Sequence, residues 1–339
     1  MSQRNVLVTG GAGFIGSNFL PYFLESHPDY HVINLDKLTY AGNIENLQEL
    51  NGHSKYEFVE GDICNRELVE KLFAEKKIDG VVHFAAESHV DNSINGPAEF
   101  INTNIVGTFT LLDVARKSWM NSPNEYKSNF KHSIFHHIST DEVYGTLGEE
   151  GLFRETTAYA PNSPYSASKA SSDFIVRSYF HTYGMNVVTT NCSNNYGPKQ
   201  HDEKLIPTVI RKALFHENIP IYGDGKNVRD WLYVLDHCKG IDLVFHEGQP
   251  GGTYNIGGKN ERTNLEIVDA ILTSLDELKP LNSGSYKQFI TFVKDRPGHD
   301  KRYAIDATKI ESSLGWKADE TFDSGIKKTI EWYLKAYKQ

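Results

Sequence analysis

Tyr165 and Lys169 stand four apart in YSASK, inside a helical pattern, so both side chains fall on one face. An ammonium beside a phenol favours the phenolate and draws a tyrosine pKa down from about 10 towards neutrality. A tyrosine so tuned takes the proton of a hydroxyl while hydride departs from the carbon that bears it. Thr140, which ends an apolar run twenty-five residues earlier, offers a hydroxyl to orient the same oxygen. Directly after it come two acids, Asp141 and Glu142. That pair reads in two ways: an acidic turn facing water, with Asp141 capping the next segment, or two proton-transfer groups aimed at a substrate. Tyr-x-x-x-Lys recurs by chance in many helices, so its meaning depends on what else the chain carries.

Hydride needs an acceptor, and the N-terminus offers a place for one. Val6-Leu7-Val8-Thr9 runs into Gly10-Gly11-Ala12-Gly13-Phe14-Ile15-Gly16. Three glycines between a strand and a helix permit a tight turn, close approach of a pyrophosphate and close helix–strand packing, with the phosphates at the positive helix end. Asp36 ends the second strand, twenty residues after Gly16, where a carboxylate takes the ribose hydroxyls and repels a 2′-phosphate. The expected cofactor is therefore NAD and not NADP, although Lys37 stands beside that carboxylate. Asp62, followed by Ile63, ends the third strand and reads either as an adenine contact or as a helix cap. Ala85 and Ala86, after the fourth strand, are small where a dinucleotide would pass.

The elements that must hold these residues alternate. Apolar runs at 5–9, 31–36, 56–61, 80–85, 133–139 and 187–192 are separated by helical patterns such as 66–76. Such alternation implies right-handed crossovers and a parallel sheet covered on both faces. The fold class expected is α/β: a Rossmann-like doubly wound parallel sheet with a smaller α/β C-terminal substrate-binding region. We place the cofactor-binding domain at 1–194 and the substrate-binding part mainly at 195–339, with 187–192 and 253–256 rejoining the large sheet. Helices are expected near 204–217, 234–247, 263–279 and 320–337.

With 339 residues, 39% hydrophobic content and a formal charge of −9, the chain fits an ordinary globular protein with no general attraction to nucleic acid or anionic membrane. No apolar run approaches the ~20 residues that span a bilayer. The first residues enter a strand at once and leave no room for a signal peptide. Cys64, Cys192 and Cys238 are far apart, which argues against a disulfide framework or zinc knuckle and suits a reducing cytoplasm. The histidines, including the adjacent His136 and His137, have no ligand spacing, and no metal is expected.

Taken together, VTGGAGFIGSNF, LDKLTYAGN, HFAAESHVD, STDEVYG, YSASKA, NNYGP, EKLIP, VRDWLYV and DRPGHDKRY resemble the extended short-chain dehydrogenase/reductases that modify nucleotide sugars, and within them the dTDP-glucose 4,6-dehydratase family. The likeness spans nearly the whole chain. It implies dTDP-glucose as substrate, Thr140, Tyr165 and Lys169 as the oxidising set, Glu142 as base at C5 and Asp141 as acid at C6. An acid protonated at neutral pH needs a raised pKa, which burial beside a second carboxylate supplies.

The same resemblance implies Arg229 and Arg296 on the phosphates, Asn194, Lys204 and Leu205 along the nucleotide, and Pro220 and Tyr222 at the base. It puts His299 and Tyr303 at the pyrophosphate end and Ser88 on the sugar, with Glu87 nearby. It also implies a homodimer built on helices near 102–117 and 165–183. Two departures fall near the substrate mouth: Asn92 replaces the family's arginine, and Lys199 and His201 replace aromatic or apolar residues. A GDP-mannose 4,6-dehydratase, a C4 epimerase and a non-enzymatic dinucleotide sensor are the alternatives. Asp36 with Thr140-Asp141-Glu142 argues against the first, the acid pair against the second, and retention of Tyr165 and Lys169 against the third.

Overall fold

The structure, a computed structural model, describes residues 4–295 and 300–337. Its centre is a seven-stranded sheet, parallel throughout, in the order Thr253–Ile256, Val187–Cys192, Ile134–Thr140, Gly80–His83, Arg4–Thr9, Tyr30–Asp36, Tyr56–Glu60. The order reverses at Arg4–Thr9, so crossovers leave on both sides and a crevice opens at the carboxyl ends of the strands.

Side-chain alternation assigns the two faces. Val6 and Val8 of the first strand enter one apolar core, with the helices Phe14–Ser26 and Val234–Glu247, while Leu7 between them enters the other. That second core is closed by Arg66–Lys76, Thr108–Trp119 and Pro164–Tyr183. Both faces are dry, which is why the central strands read as continuous hydrophobic runs.

A third core joins Ile206, Val209 and Ile210 of helix Leu205–Leu214 to Ile267 and Ile271 of Asn264–Leu278 and Ile326 and Ile330 of Phe322–Ala336. Beside it lies a small sheet centred on Val228–Tyr233, parallel to Asn194–Tyr196 and Arg302–Tyr303 and antiparallel to Glu261–Thr263. Residues beyond 195 are thus not confined to a core of their own, since Val234–Glu247 packs on the first helix and Tyr303 and Ile305 join Val143, Tyr144 and Phe153.

The expected strands and helices form within a few residues of their limits. The fourth strand stops at His83 because the chain then turns towards the glycine loop: Phe84 N donates to Thr9 O (3.0 Å) and Ala85 N to Thr9 Oγ1 (3.3 Å). The helix expected over 102–117 begins with a π-helical turn, Ile101–Gly107, before the α-helix Thr108–Trp119. The helix carrying Tyr165 starts where its sequence dictates. Ser163 and Ser166 form a capping box, Pro164 occupies the first turn, and Gly184 ends the helix in the left-handed conformation.

Candidate active site

Six neighbouring strands deliver their carboxyl ends to one cleft. At the first, Gly10 has φ +74°, and a Cβ there would lie 2.6 Å from Ala85 N, so both conformation and space demand glycine. A Cβ on Gly16 would meet Gly10 O at 2.5 Å, which fixes how closely the helix packs on the turn. Gly13 caps that helix without a side-chain acceptor, and the first turn holds no acid. Its N–H groups and positive end are thereby left for an anion.

Asp36 is buried, and its two oxygens accept from Ala12 N and Leu38 N, both at 2.8 Å. A carboxylate has about four acceptor sites, so two remain for vicinal hydroxyls. Lys37 does not oppose this, because it pairs with Asp62 at 2.8 Å. Burial works against ionisation of Asp62, but Lys37 and the Cys64 N–H hold its carboxyl below the usual range. Phe14, Ile15, Ile63, Ala85 and Ala86 line the same cleft. A glycine cradle, an uncapped helix end and a fixed acid at the second strand are the parts a dinucleotide requires, and the residues present fit one.

Thr140, Asp141, Glu142, Tyr165 and Lys169 continue the lining beyond the cradle. Glu142 N donates to Thr140 Oγ1 (3.3 Å), which turns the chain sharply after the strand and presents both acids at its tip. Asp141 is 2% exposed, and its Oδ2 is buried without a hydrogen-bond partner among the described residues. Burial first, then Glu142 and Asp230, push its carboxyl well above the usual range, against a smaller pull from Arg229. These surroundings favour the protonated carboxyl of Asp141 over its carboxylate.

Tyr165 departs from expectation. Burial and then Glu142 push its phenol well up, and its bond to Thr140 offsets little. Lys169 is itself buried; its Nζ donates to Ile138 O at 2.8 Å, and burial lowers its pKa while Asp173 raises it. The four-residue spacing puts the pair on one helix face but does not by itself acidify the phenol. Beneath them His137 Nε2 lies 3.0 Å from Asp173 Oδ1, and Ser139 and Tyr159 donate to Oδ2 (2.8 and 3.0 Å), so His137 is a core residue held through Nε2, its buried Nδ1 having no hydrogen-bond partner among the described residues.

On the far side, Ser88, Asn194 and Lys204 line the cleft, and Lys204 Nζ donates to Ser88 O (3.2 Å). Leu205 instead opens its helix and packs on the third core. Pro220 and Tyr222 sit on the strand Ile219–Tyr222, outside the cleft lining, with Tyr222 44% exposed. Arg229 is also outside it. Its guanidinium donates to the carbonyls of Val228, Asp300 and Lys301 and stacks on the Tyr303 ring at 4.3 Å. Tyr303 is buried and donates to Asp300. Arg296 and His299 lie outside the described residues.

Sequence reasoning missed Thr103, Asn195, Gln200 and Glu203, which line the cleft. The only signal for the last two was the unusual stretch 199–201 beside them. There Lys199 Nζ reaches Ser17 O (3.1 Å) and Glu49 (2.7 Å), tying the loop to the first helix, and His201 packs edge-on to Tyr40.

Comparison with known proteins agrees with this geometry. The family described as GDP-mannose 4,6 dehydratase matches residues 7–329. The dTDP-glucose 4,6-dehydratase of Salmonella typhimurium is 55% identical over 338 residues, covering 97% of this chain and 92% of that one. Among solved structures, the dTDP-glucose 4,6-dehydratase of Bacillus anthracis in complex with NAD superposes with a TM-score of 0.86 at 46% identity, over 99% of this chain and 98% of that one. The enzyme of the same name from Streptomyces venezuelae, with NAD and TYD bound, gives 0.89 at 43%, over 98% of each chain. With its glycine cradle, its buried tyrosine and lysine and its adjacent acids in one cleft, the chain belongs to the dTDP-glucose 4,6-dehydratase family.

Proposed function

We propose that this chain binds NAD and converts dTDP-glucose to dTDP-4-keto-6-deoxyglucose by oxidation at C4, loss of water across C5 and C6, and hydride return to C6. NAD, when bound, would supply the hydride acceptor and donor. Tyr165 removes the C4 hydroxyl proton, Thr140 orients that oxygen, and Lys169 adds the buried positive charge. The C4 ketone acidifies the C5 proton, which Glu142 removes. Asp141 protonates the C6 hydroxyl so that it leaves as water; unassisted, hydroxide is a poor leaving group. Hydride taken from C4 ends on C6, and the sequence is redox-neutral.

The observation that carries this reading is the buried Asp141 next to Glu142, where burial and the second carboxyl push its pKa up, beside Tyr165 in the same cleft. An epimerase or a simple dehydrogenase has no use for such a carboxylic acid. The test uses dTDP-glucose deuterated at C4, purified protein and no added reductant. A deuterated C6 methyl on a 4-keto sugar, read by NMR, is the expected product. Inversion or oxidation at C4 with the C6 hydroxyl intact would refute the roles given to the two acids. No conversion with NAD supplied would reopen the choice of nucleotide, beginning with GDP-mannose.

On the substrate side, Ser88, Asn194 and Lys204 contact sugar and nucleotide, while Arg229 shapes the 300–303 segment next to the acids. A homodimer is part of the proposal. Ile101, Val106 and Phe109 on one helical segment and Phe174 on its neighbour are 42–58% exposed, an apolar face that a second copy would cover. Sedimentation should give a dimer, and Phe174→Asp a monomer. Among the described residues no helix is long and apolar enough to cross a membrane. We place the enzyme in the cytoplasm, in deoxysugar synthesis of the rhamnose type.

A further inference from the structure

The helix whose first turn meets the cleft ends thirteen residues later, about 20 Å away at 1.5 Å per residue, at His27. There it meets the helix Val234–Glu247, which presents Asp242 and His246 one turn apart. One donor atom from each of His27, Asp242 and His246 lies within 4.8 Å of the others. His27 Nε2 is 2.8 Å from Asp242 Oδ1, and His246 Nδ1 is 3.0 Å from the same oxygen. We propose that these three residues form a binding site for a divalent transition ion, with Zn2+ the ion their two imidazoles and one carboxylate suit.

Two observations set the cluster apart from a plain ion-pair ladder. His246 Nδ1 faces two acceptors at hydrogen-bond distance, Asp242 Oδ1 and the Asp242 carbonyl at 2.9 Å, but can carry one proton at most. In addition, each ligand on the long helix has a tyrosine behind it. Tyr22 OH donates to Asp242 Oδ2 (3.2 Å), and Tyr30 OH lies 2.9 Å from His246 Nε2. If Nε2–H donates to Tyr30, the tautomer is fixed and the lone pair falls on Nδ1, the arrangement in which outer hydrogen bonds orient metal ligands.

A surface pocket lined by the three residues with Tyr22, Lys239 and Trp316 gives an entry path and room for water in the remaining coordination position. The two imidazoles are stacked, centroids 4.4 Å apart and 25° from parallel, so binding requires one ring to turn. His27, at the end of its helix, is the one placed to do so. The ion would tie the end of the first helix to Val234–Glu247, on which it already packs.

The test is metal binding by the full chain after chelator treatment and dialysis. Zn2+ is titrated by calorimetry, and Co2+ is read by visible absorption for a tetrahedral spectrum. One saturable equivalent per chain is expected, lost in His246→Ala and in His27→Gln. Tyr30→Phe should retain the site but weaken it about 10- to 100-fold. Circular dichroism checks that each variant is folded, and His27→Gln, which keeps a polar side chain at the helix end, serves if His246→Ala is not. Absence of saturable binding by the wild type would overturn the proposal. So would an equivalent retained in a folded His27→Gln/His246→Ala double variant, since the ion would then sit elsewhere.

Discussion

On the side of the cleft proposed for the dinucleotide, the lining comes largely from the ends of parallel strands or the residues just after them, among them Gly10, Asp36, Asp62 and Ala85. On the sugar-nucleotide side the residues come from loops and a small mixed sheet, and several expected there, Leu205, Pro220, Tyr222 and Arg229, are not in the lining. The first side is set by backbone geometry that neighbouring strands share. The second is set by how distant loops happen to pack, and there a residue type at the right place in the sequence does not fix where its side chain goes. Asp141 stands at the seam: a strand end places it, but its chemistry comes from burial beside Glu142.

The largest effect should come from the backbone-defined side. Gly10→Ala puts a Cβ 2.6 Å from Ala85 N at φ +74°, and both NAD retention and turnover should disappear, checked by cofactor content of the purified protein. Retained NAD would mean that the turn is more adaptable than its geometry implies. Tyr165→Phe should keep NAD and lower kcat by about 10²- to 10⁴-fold, the range for a lost general base.

Asp141→Asn should block elimination while leaving C4 oxidation, so that reduced cofactor accumulates on substrate addition and no 6-methyl product forms. It should also change stability, with a definite sign. Because the folded carboxyl holds its proton more tightly than the unfolded one, wild-type stability falls as pH rises above the ordinary Asp range near about 3.9. The Asn variant lacks that loss, so its melting temperature at pH 7.5 should equal or exceed wild type; a clear decrease would argue that the carboxylate is stabilising.

Smaller effects would sharpen the loop-built side. Arg229→Lys cannot reproduce a fork that spans three carbonyls and stacks on Tyr303, and should raise KM for the sugar nucleotide about tenfold, some 1.4 kcal/mol, with little change in kcat. Tyr222→Ala, on an exposed strand off the cleft, should change KM less than about twofold; a tenfold rise, again about 1.4 kcal/mol, would mean that the strand closes over the base when substrate binds.

The seven sheet strands, the glycine turn, Asp36 and the Tyr165–Lys169 face were legible because each depends on residues close in sequence: alternation, a turn's need for glycine, a four-residue helical step. What tertiary structure alone decided is the environment. Lys37 turns to Asp62 and away from a phosphate role, Tyr165 is burdened by its own burial, and Arg229 spends its donors on carbonyls. His27 and Asp242, 215 residues apart, meet because two helices pack on one sheet face, and no spacing along the chain records that. Local geometry is written in neighbouring residues; desolvation and fields come from every element that closes around a group, and so are fixed only when the chain is folded.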